Sequence, residues 1–227
     1  MHRRHFHSLR DHPNARHRHR HHSRTPPGYF RIACMWSSFY YAQSNYKLAL
    51  VLYVLNFAGD LVDGFAARLF NQSSNYGATL DMVTDRVSTA GLCAYLAVLY
   101  PDDAFAYVSL IVIDVFSHWF HMYASAKTNQ HHKDNQANFF LQWYYGCYPL
   151  FGYCCLAQEF YYLAKWILRF EPNVALPFAP DVTLDVVCNY VFLPGMLMKQ
   201  VVNFAQWWNA AAMLAVVDAE AAQKRAK

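Results

Sequence analysis

The sequence predicts an all-α, polytopic membrane protein with six transmembrane helices, and three observations predict it. Of 227 residues, 56% are hydrophobic and only 15% charged, where a soluble domain carries about 25% charged residues. The apolar residues gather into six near-continuous runs, and a helix needs roughly 20 such residues to cross a bilayer. Turn signals are scarce and the runs do not alternate with a strand's period, which excludes a membrane barrel. A secreted disulfide scaffold, a disordered chain and an ordinary cytosolic enzyme are excluded by the same composition. The mean hydropathy of +0.01 understates this apolarity, because the N-terminal segment is of another kind. Residues 1–24 hold eight of the twelve histidines and seven of the nineteen Lys and Arg residues, against the single acid Asp11. The remainder carries twelve basic and fourteen acidic residues, so its formal charge is −2.

Residues 1–25 contain no apolar run and are not a secretory signal. They are expected to be a disordered, basic, His/Arg-rich cytoplasmic tail that helps to set topology, with no nucleic-acid partner. After Pro26-Pro27 the composition turns apolar, and residues 26–227 read as one membrane domain. Its first run, 28–42, is short. The second, 47–68, is uninterrupted to Gly59 and then carries two acids. The third, 78–100, is closed by Pro101-Asp102-Asp103. The fourth, 104–126, encloses Asp114, His118 and His121. The fifth, 139–164, is rich in Tyr and Phe, and the sixth, 185–217, contains Pro194-Gly195 and Lys199. Arg68, Lys127, Lys133, Lys224, Arg225 and Lys227 fall on the side of the basic N-terminus, and Lys47, Lys165 and Arg169 on the other. That bias places both termini in the cytoplasm. The six cysteines lie within apolar runs without a CxxC pair, as small packing groups.

The informative stretch runs from Asp60 to Arg86. Asp60 and Asp63 are three positions apart, and Asp81 and Asp85 four, so each pair shares one helical face. The turn-forming residues 71–77 between them predict a hairpin whose acidic faces meet at the cytoplasmic boundary. Gly64, Ala66, Ala67 and Gly77 are small, which admits a close approach of backbone or ligand. Four carboxylates cannot converge there uncompensated. Two divalent ions would neutralise them, and all-oxygen ligands point to Mg²⁺ or Mn²⁺.

Asp60, Asp63-Gly64, Ala67-Arg68, Gly77, Asp81 and Asp85 resemble the signature of the CDP-alcohol phosphotransferases, D-x2-D-G-x2-A-R-x8-G-x3-D-x3-D, with all eight fixed positions filled. The resemblance implies a six-helix membrane enzyme that displaces CMP from a CDP-linked lipid or alcohol. Residues 71–86, the Asp114–His118–His121 segment, Pro194-Gly195 with Lys199, and the ending AVVDAEAAQKRAK are similar to eukaryotic-type phosphatidylinositol synthases. GYFRI at 28–32 resembles the end of their first-helix motif, although the Pro-Asn pair that usually opens it is replaced by Pro26-Pro27. The likeness covers about residues 28–227.

That resemblance implies CDP-diacylglycerol and myo-inositol as substrates, within endoplasmic reticulum or Golgi membranes, the site facing the cytoplasm and the enzyme a homodimer. It implies Asp60, Asp63 and Asp81 as ligands of the two ions, with Asp85 sharing the second and serving as general base. Gly64, Ala67, Arg68 and Gly77 would bind CDP-diacylglycerol, Arg68 as a bidentate donor to the diphosphate. His118 and Lys199 are candidate contacts to inositol or phosphate, set against helix–helix hydrogen bonding for His118 and an ion pair for Lys199. Two alternatives stand beside this reading. The acceptor could be another alcohol (glycerol phosphate, serine, or diacylglycerol with CDP-choline or CDP-ethanolamine), or the acidic hairpin could be a divalent-metal transport path.

Overall fold

The computed structural model describes residues 26–69, 74–128, 138–177 and 179–226. The side chains of residues 26, 27, 61 and 63–69 lie outside that description, as does the whole of the tail 1–25. Eight helices and one small hairpin make up the described chain. They are α1 (Pro26–Tyr41), α2 (Tyr46–Leu69), α3 (Asn75–Leu99), α4 (Ala104–Thr128), α5 (Phe139–Gly146), α6 (Tyr148–Phe170), β1 (Ala175–Leu176), β2 (Ala179–Thr183), α7 (Leu184–Val187) and α8 (Leu193–Arg225).

Local chemistry sets the helix boundaries. The Asn45 side chain accepts the Leu48 amide at 3.1 Å and starts α2. Ser74 caps α3 by accepting the Gly77 amide at 3.0 Å, and Asn138 caps α5 by accepting the Phe140 amide at 2.9 Å. Pro101 begins a single 3₁₀ turn, Pro101–Asp103, that turns the chain into α4.

The run 139–164, expected as one span, is two helices. They break at Cys147, because Pro149 has no N–H to continue the ladder and its ring crowds the preceding turn. The sixth run differs as well. It is preceded by an antiparallel two-stranded hairpin, and a π turn at Cys188–Phe192 joins α7 to α8 immediately before Pro194. Helix α8 then continues past Val217 to Arg225.

The core lies between α1, α2, α3 and α6, around Ala49, Tyr53, Leu92, Leu96, Tyr162 and Trp166. A smaller cluster joins α5, α6 and α8 through Leu141, Tyr144, Cys154 and Val202. Helix α8 shows the reverse of a water-soluble pattern. Lys199, Gln200, Asn203, Gln206 and Asn209 are buried, while Leu197, Val201, Phe204 and Trp208 face out. Inside, Gln200 donates to Gln158 at 3.0 Å and Asn203 to Gln200 at 3.3 Å. Polar groups turned inward and aromatic groups turned outward suit a hydrocarbon solvent. By length and composition, two segments among the described residues are apolar enough to cross a membrane, Asn75–Leu99 and Pro101–Thr128. All six cysteines are unpaired thiols. At the far end of the bundle Lys47 meets Glu171 at 2.9 Å. The Tyr46 hydroxyl and then Lys47 hold that carboxyl below its ordinary range.

Helices α6 and α8 touch almost backbone to backbone. A Cβ built on Gly195 would lie 2.5 Å from the Ala157 Cβ and 2.9 Å from the Tyr153 ring, whereas one on Gly152 would meet nothing within 4 Å. Gly195→Ala is therefore expected to cost about 1–3 kcal/mol through overpacking, and Gly152→Ala to be neutral or slightly stabilising. Unfolding of the two variants in lipid nanodiscs checks the contrast.

Candidate active site

Three helices bring one face each to the acidic cluster. Asn56 and Asp60 are one turn apart on α2, and Asp81, Asp85 and Ser88 form a stripe along α3. Arg31 enters between them from α1. Its side chain is only 2% exposed, and its Nη1 lies 2.8 Å from Asp60 Oδ1. Nη1 also donates to Asp81 and Nη2 to Asp85. Its Nε donates to the Asn56 carbonyl at 3.2 Å. The Asn56 amide in turn donates to Ser88 Oγ at 3.0 Å and ties α2 to α3. Gly59 makes room for this arrangement, since a Cβ there would lie 2.8 Å from Arg31 Cγ. The carboxylates remain partly open, Asp81 most of all at 48% exposure. A ligand can therefore reach them.

Ligand oxygens of Asp60, Asp81 and Asp85 lie within 4.8 Å of one another. A hard cation takes such oxygen donors at roughly 2.0–2.6 Å, so this set fits a divalent ion. The expected convergence of Asp60 with Asp81 and Asp85 is thus present. The side chains of the other signature residues on α2, Asp63, Gly64, Ala67 and Arg68, lie outside the described residues. Gly77 sits in the first turn of α3, where its amide is used by the Ser74 cap.

A second tier of polar residues lies one turn deeper. Arg86 Nη1 meets Asp114 Oδ1 of α4 at 2.9 Å, and Arg86 Nη2 is 4.0 Å from Asp85 Oδ2. Glu159 of α6 accepts from Thr89 at 2.7 Å and from Tyr53 at 3.3 Å. Lys199 is buried on α8, close enough to Arg86 and Asp114 to feel both charges. His118 Nδ1 lies 2.9 Å from the Asp114 carbonyl and 3.1 Å from Ser117 Oγ. A carbonyl can only accept, so Nδ1 carries the proton and the Nε2 of neutral His118 is an acceptor. His121 lies one turn further along α4.

Sequence reasoning did not single out Arg31, Arg86 or Glu159. A signal existed for two of them. Arg31 is the single cation of the run 28–42 and Glu159 the single acid of the run 139–164, and charges in apolar spans are usually functional. Arg86 could have been drawn from the same stretch as Asp81 and Asp85.

The sequence model of the CDP-alcohol phosphatidyltransferase family matches residues 28–217, and the chain belongs to that family. Among curated proteins it is similar to CDP-diacylglycerol–inositol 3-phosphatidyltransferase 1 of Arabidopsis thaliana, 36% identical over 87% of this chain and 90% of the relative. The CDP-diacylglycerol–inositol 3-phosphatidyltransferases of Candida albicans and Homo sapiens are 35% and 33% identical. They cover 87% and 85% of this chain and 84% and 90% of their own lengths. No solved structure matches the chain significantly.

The Arg86–Asp114 pair has its own consequence. Asp114 is buried and Arg86 partly so, and removing the cation leaves a charge uncompensated, at a cost approaching the roughly 3–5 kcal/mol of a buried pair. Arg86→Met is expected to show that loss in a denaturation series, and Arg86→Met combined with Asp114→Leu to recover part of it. A strictly additive double variant would mean that the two side chains are energetically independent.

Proposed function

We propose that this protein makes phosphatidylinositol, transferring the phosphatidyl group of CDP-diacylglycerol to myo-inositol with release of CMP. The observation that carries the reading is the convergence of Asp60, Asp81 and Asp85 from two helices within the complete family signature. The names of the curated relatives support inositol as the acceptor.

Asp60, Asp63 and Asp81, with Asp85 shared, would hold two ions, Mg²⁺ or Mn²⁺. Such ions neutralise diphosphate oxygens and stabilise charge on the departing CMP. Arg68 pairs with the diphosphate, while Gly64, Ala67 and Gly77 let the nucleotide lie close to backbone. Asp85 takes the proton of an inositol hydroxyl as that oxygen attacks the lipid phosphorus. The new O–P bond forms as the phosphorus–oxygen bond to CMP breaks, and CMP leaves with the electron pair. Signature residues supply no Ser or Cys nucleophile, so the displacement is direct. Lys199 and the Nε2 of His118 are the groups we assign to inositol or phosphate, an acceptor nitrogen being suited to a polyol hydroxyl.

Six membrane spans fit α1, α2, α3, α4, the α5–α6 pair and α8, with both termini and the carboxylates at the cytoplasmic face. The Lys/Arg distribution supports that orientation. Endoplasmic reticulum or Golgi membranes, a homodimeric state and the disordered tail 1–25 complete the proposal.

Asp60→Asn or Asp81→Asn should nearly abolish inositol incorporation and weaken Mn²⁺ binding by the purified protein. Normal turnover of either at ordinary metal concentration would sink the assignment. Asp85→Asn should lower kcat by about 10²–10⁴ and weaken CDP-diacylglycerol binding much less, because the lost proton transfer belongs to the transition state. A panel of acceptor alcohols, scored by CMP release, decides the acceptor; release that requires glycerol phosphate or serine would replace the inositol reading. A transport path would give no CMP with any acceptor.

A further inference from the structure

Arg31 and a divalent cation make competing claims on the same carboxylates. Its two terminal nitrogens engage Oδ1 of Asp60, Asp81 and Asp85 together, and these are the three carboxylates whose spacing suits a metal. An ion drawn to all three meets a guanidinium already within hydrogen-bonding reach of each, and two cations held that close repel one another. Among the described residues, Arg31 faces three carboxylates, and Arg86, 4.0 Å from Asp85, is shared with Asp114, so the cluster is short of positive charge. A divalent ion compensates it better than a monovalent group does.

Displacement then creates a second requirement. Arg31 is almost fully buried and its stem is held at Cγ against Gly59, so displacement turns the fork about its outer torsions and gives up the Nε bond to the Asn56 carbonyl. The displaced guanidinium stays at the edge of the cluster and must find another anion, because a buried unpaired charge is costly. A diphosphate brought to the same cluster offers the oxygens that a planar fork pairs with best.

We propose that Arg31 is an exchangeable counter-ion: a divalent ion entering the cluster displaces its guanidinium, which then pairs with the diphosphate of the nucleotide-lipid. This rests on the reading of the cluster as the metal and CDP-diacylglycerol site. It makes binding of metal and nucleotide-lipid mutually reinforcing, by an amount that each must show toward the other.

The test measures Mn²⁺ affinity by electron paramagnetic resonance on the full chain in nanodiscs, with and without CDP-diacylglycerol. Gly59→Ala is the informative variant, since it keeps every charge and only crowds the Arg31 stem. Without nucleotide-lipid it should bind Mn²⁺ about tenfold tighter than wild type, and Arg31→Gln at least as much tighter. In wild type CDP-diacylglycerol should tighten Mn²⁺ binding about tenfold, within the usual range of coupling between sites, and most of that gain should vanish in Arg31→Gln. Unchanged or weaker Mn²⁺ binding by Gly59→Ala, or by Arg31→Gln with the coupling intact, would make Arg31 a fixed scaffold residue and overturn the proposal. Should either variant fail to fold, the other decides on the same criterion. Wild type that binds no Mn²⁺ even with CDP-diacylglycerol would overturn the metal reading itself.

Discussion

Charge compensation away from water is the constraint on which the rest of this structure depends. Asp60, Asp81 and Asp85 converge from two helices and would repel one another without a cation. Arg31, carried by a third helix, holds them together. It enters only because Gly59 has no side chain, and its Nε is satisfied only because the Asn56 carbonyl faces it. The packing of α1 against α2, the link from Asn56 to Ser88 and the openness of the carboxylates therefore form one arrangement. None of these features is separable from the charge at its centre.

Beneath the open cluster, the second tier solves the same problem differently. Arg86 and Lys199 stand near Asp114 and Glu159, two cations with two acids, and Thr89 and Tyr53 supply hydrogen bonds to Glu159. This tier's named charges are two of each sign, so it calls for a further cation less than the cluster above it does. The upper tier is not balanced, and its remaining negative charge is what a divalent ion would answer. One bundle thus holds a charge-matched layer beneath a layer whose charge is completed from outside.

Much of this was legible in the sequence, and what was missed has physical reasons. The helical character and the positions of the long elements followed from apolar runs. The meeting of Asp60 with Asp81 and Asp85 followed from spacing on helical faces. The break at Cys147 was not read because Pro149 lies within a run of aromatic residues whose apolarity masked the lost hydrogen bond. The 175–183 hairpin is too short for an alternating pattern to show. Arg31 is hidden from spacing arguments because it lies on another helix, far from the signature, and reaches the carboxylates only in the packed bundle. Glu159 lies far from the signature in sequence and joins Thr89 only through tertiary packing, which spacing cannot reveal.

The π turn at Cys188–Phe192 separates two demands on one helix. Downstream, the face bearing Lys199, Asn203 and Gln206 must stay turned to the interior. Upstream, α7 and the hairpin end the bundle on their own terms. A π turn is an α-helix with one extra residue looped out, and one residue corresponds to about 100° of rotation. The turn acts as a slip joint. The added rotation lets the polar stripe of α8 keep its inward heading whatever face α7 presents.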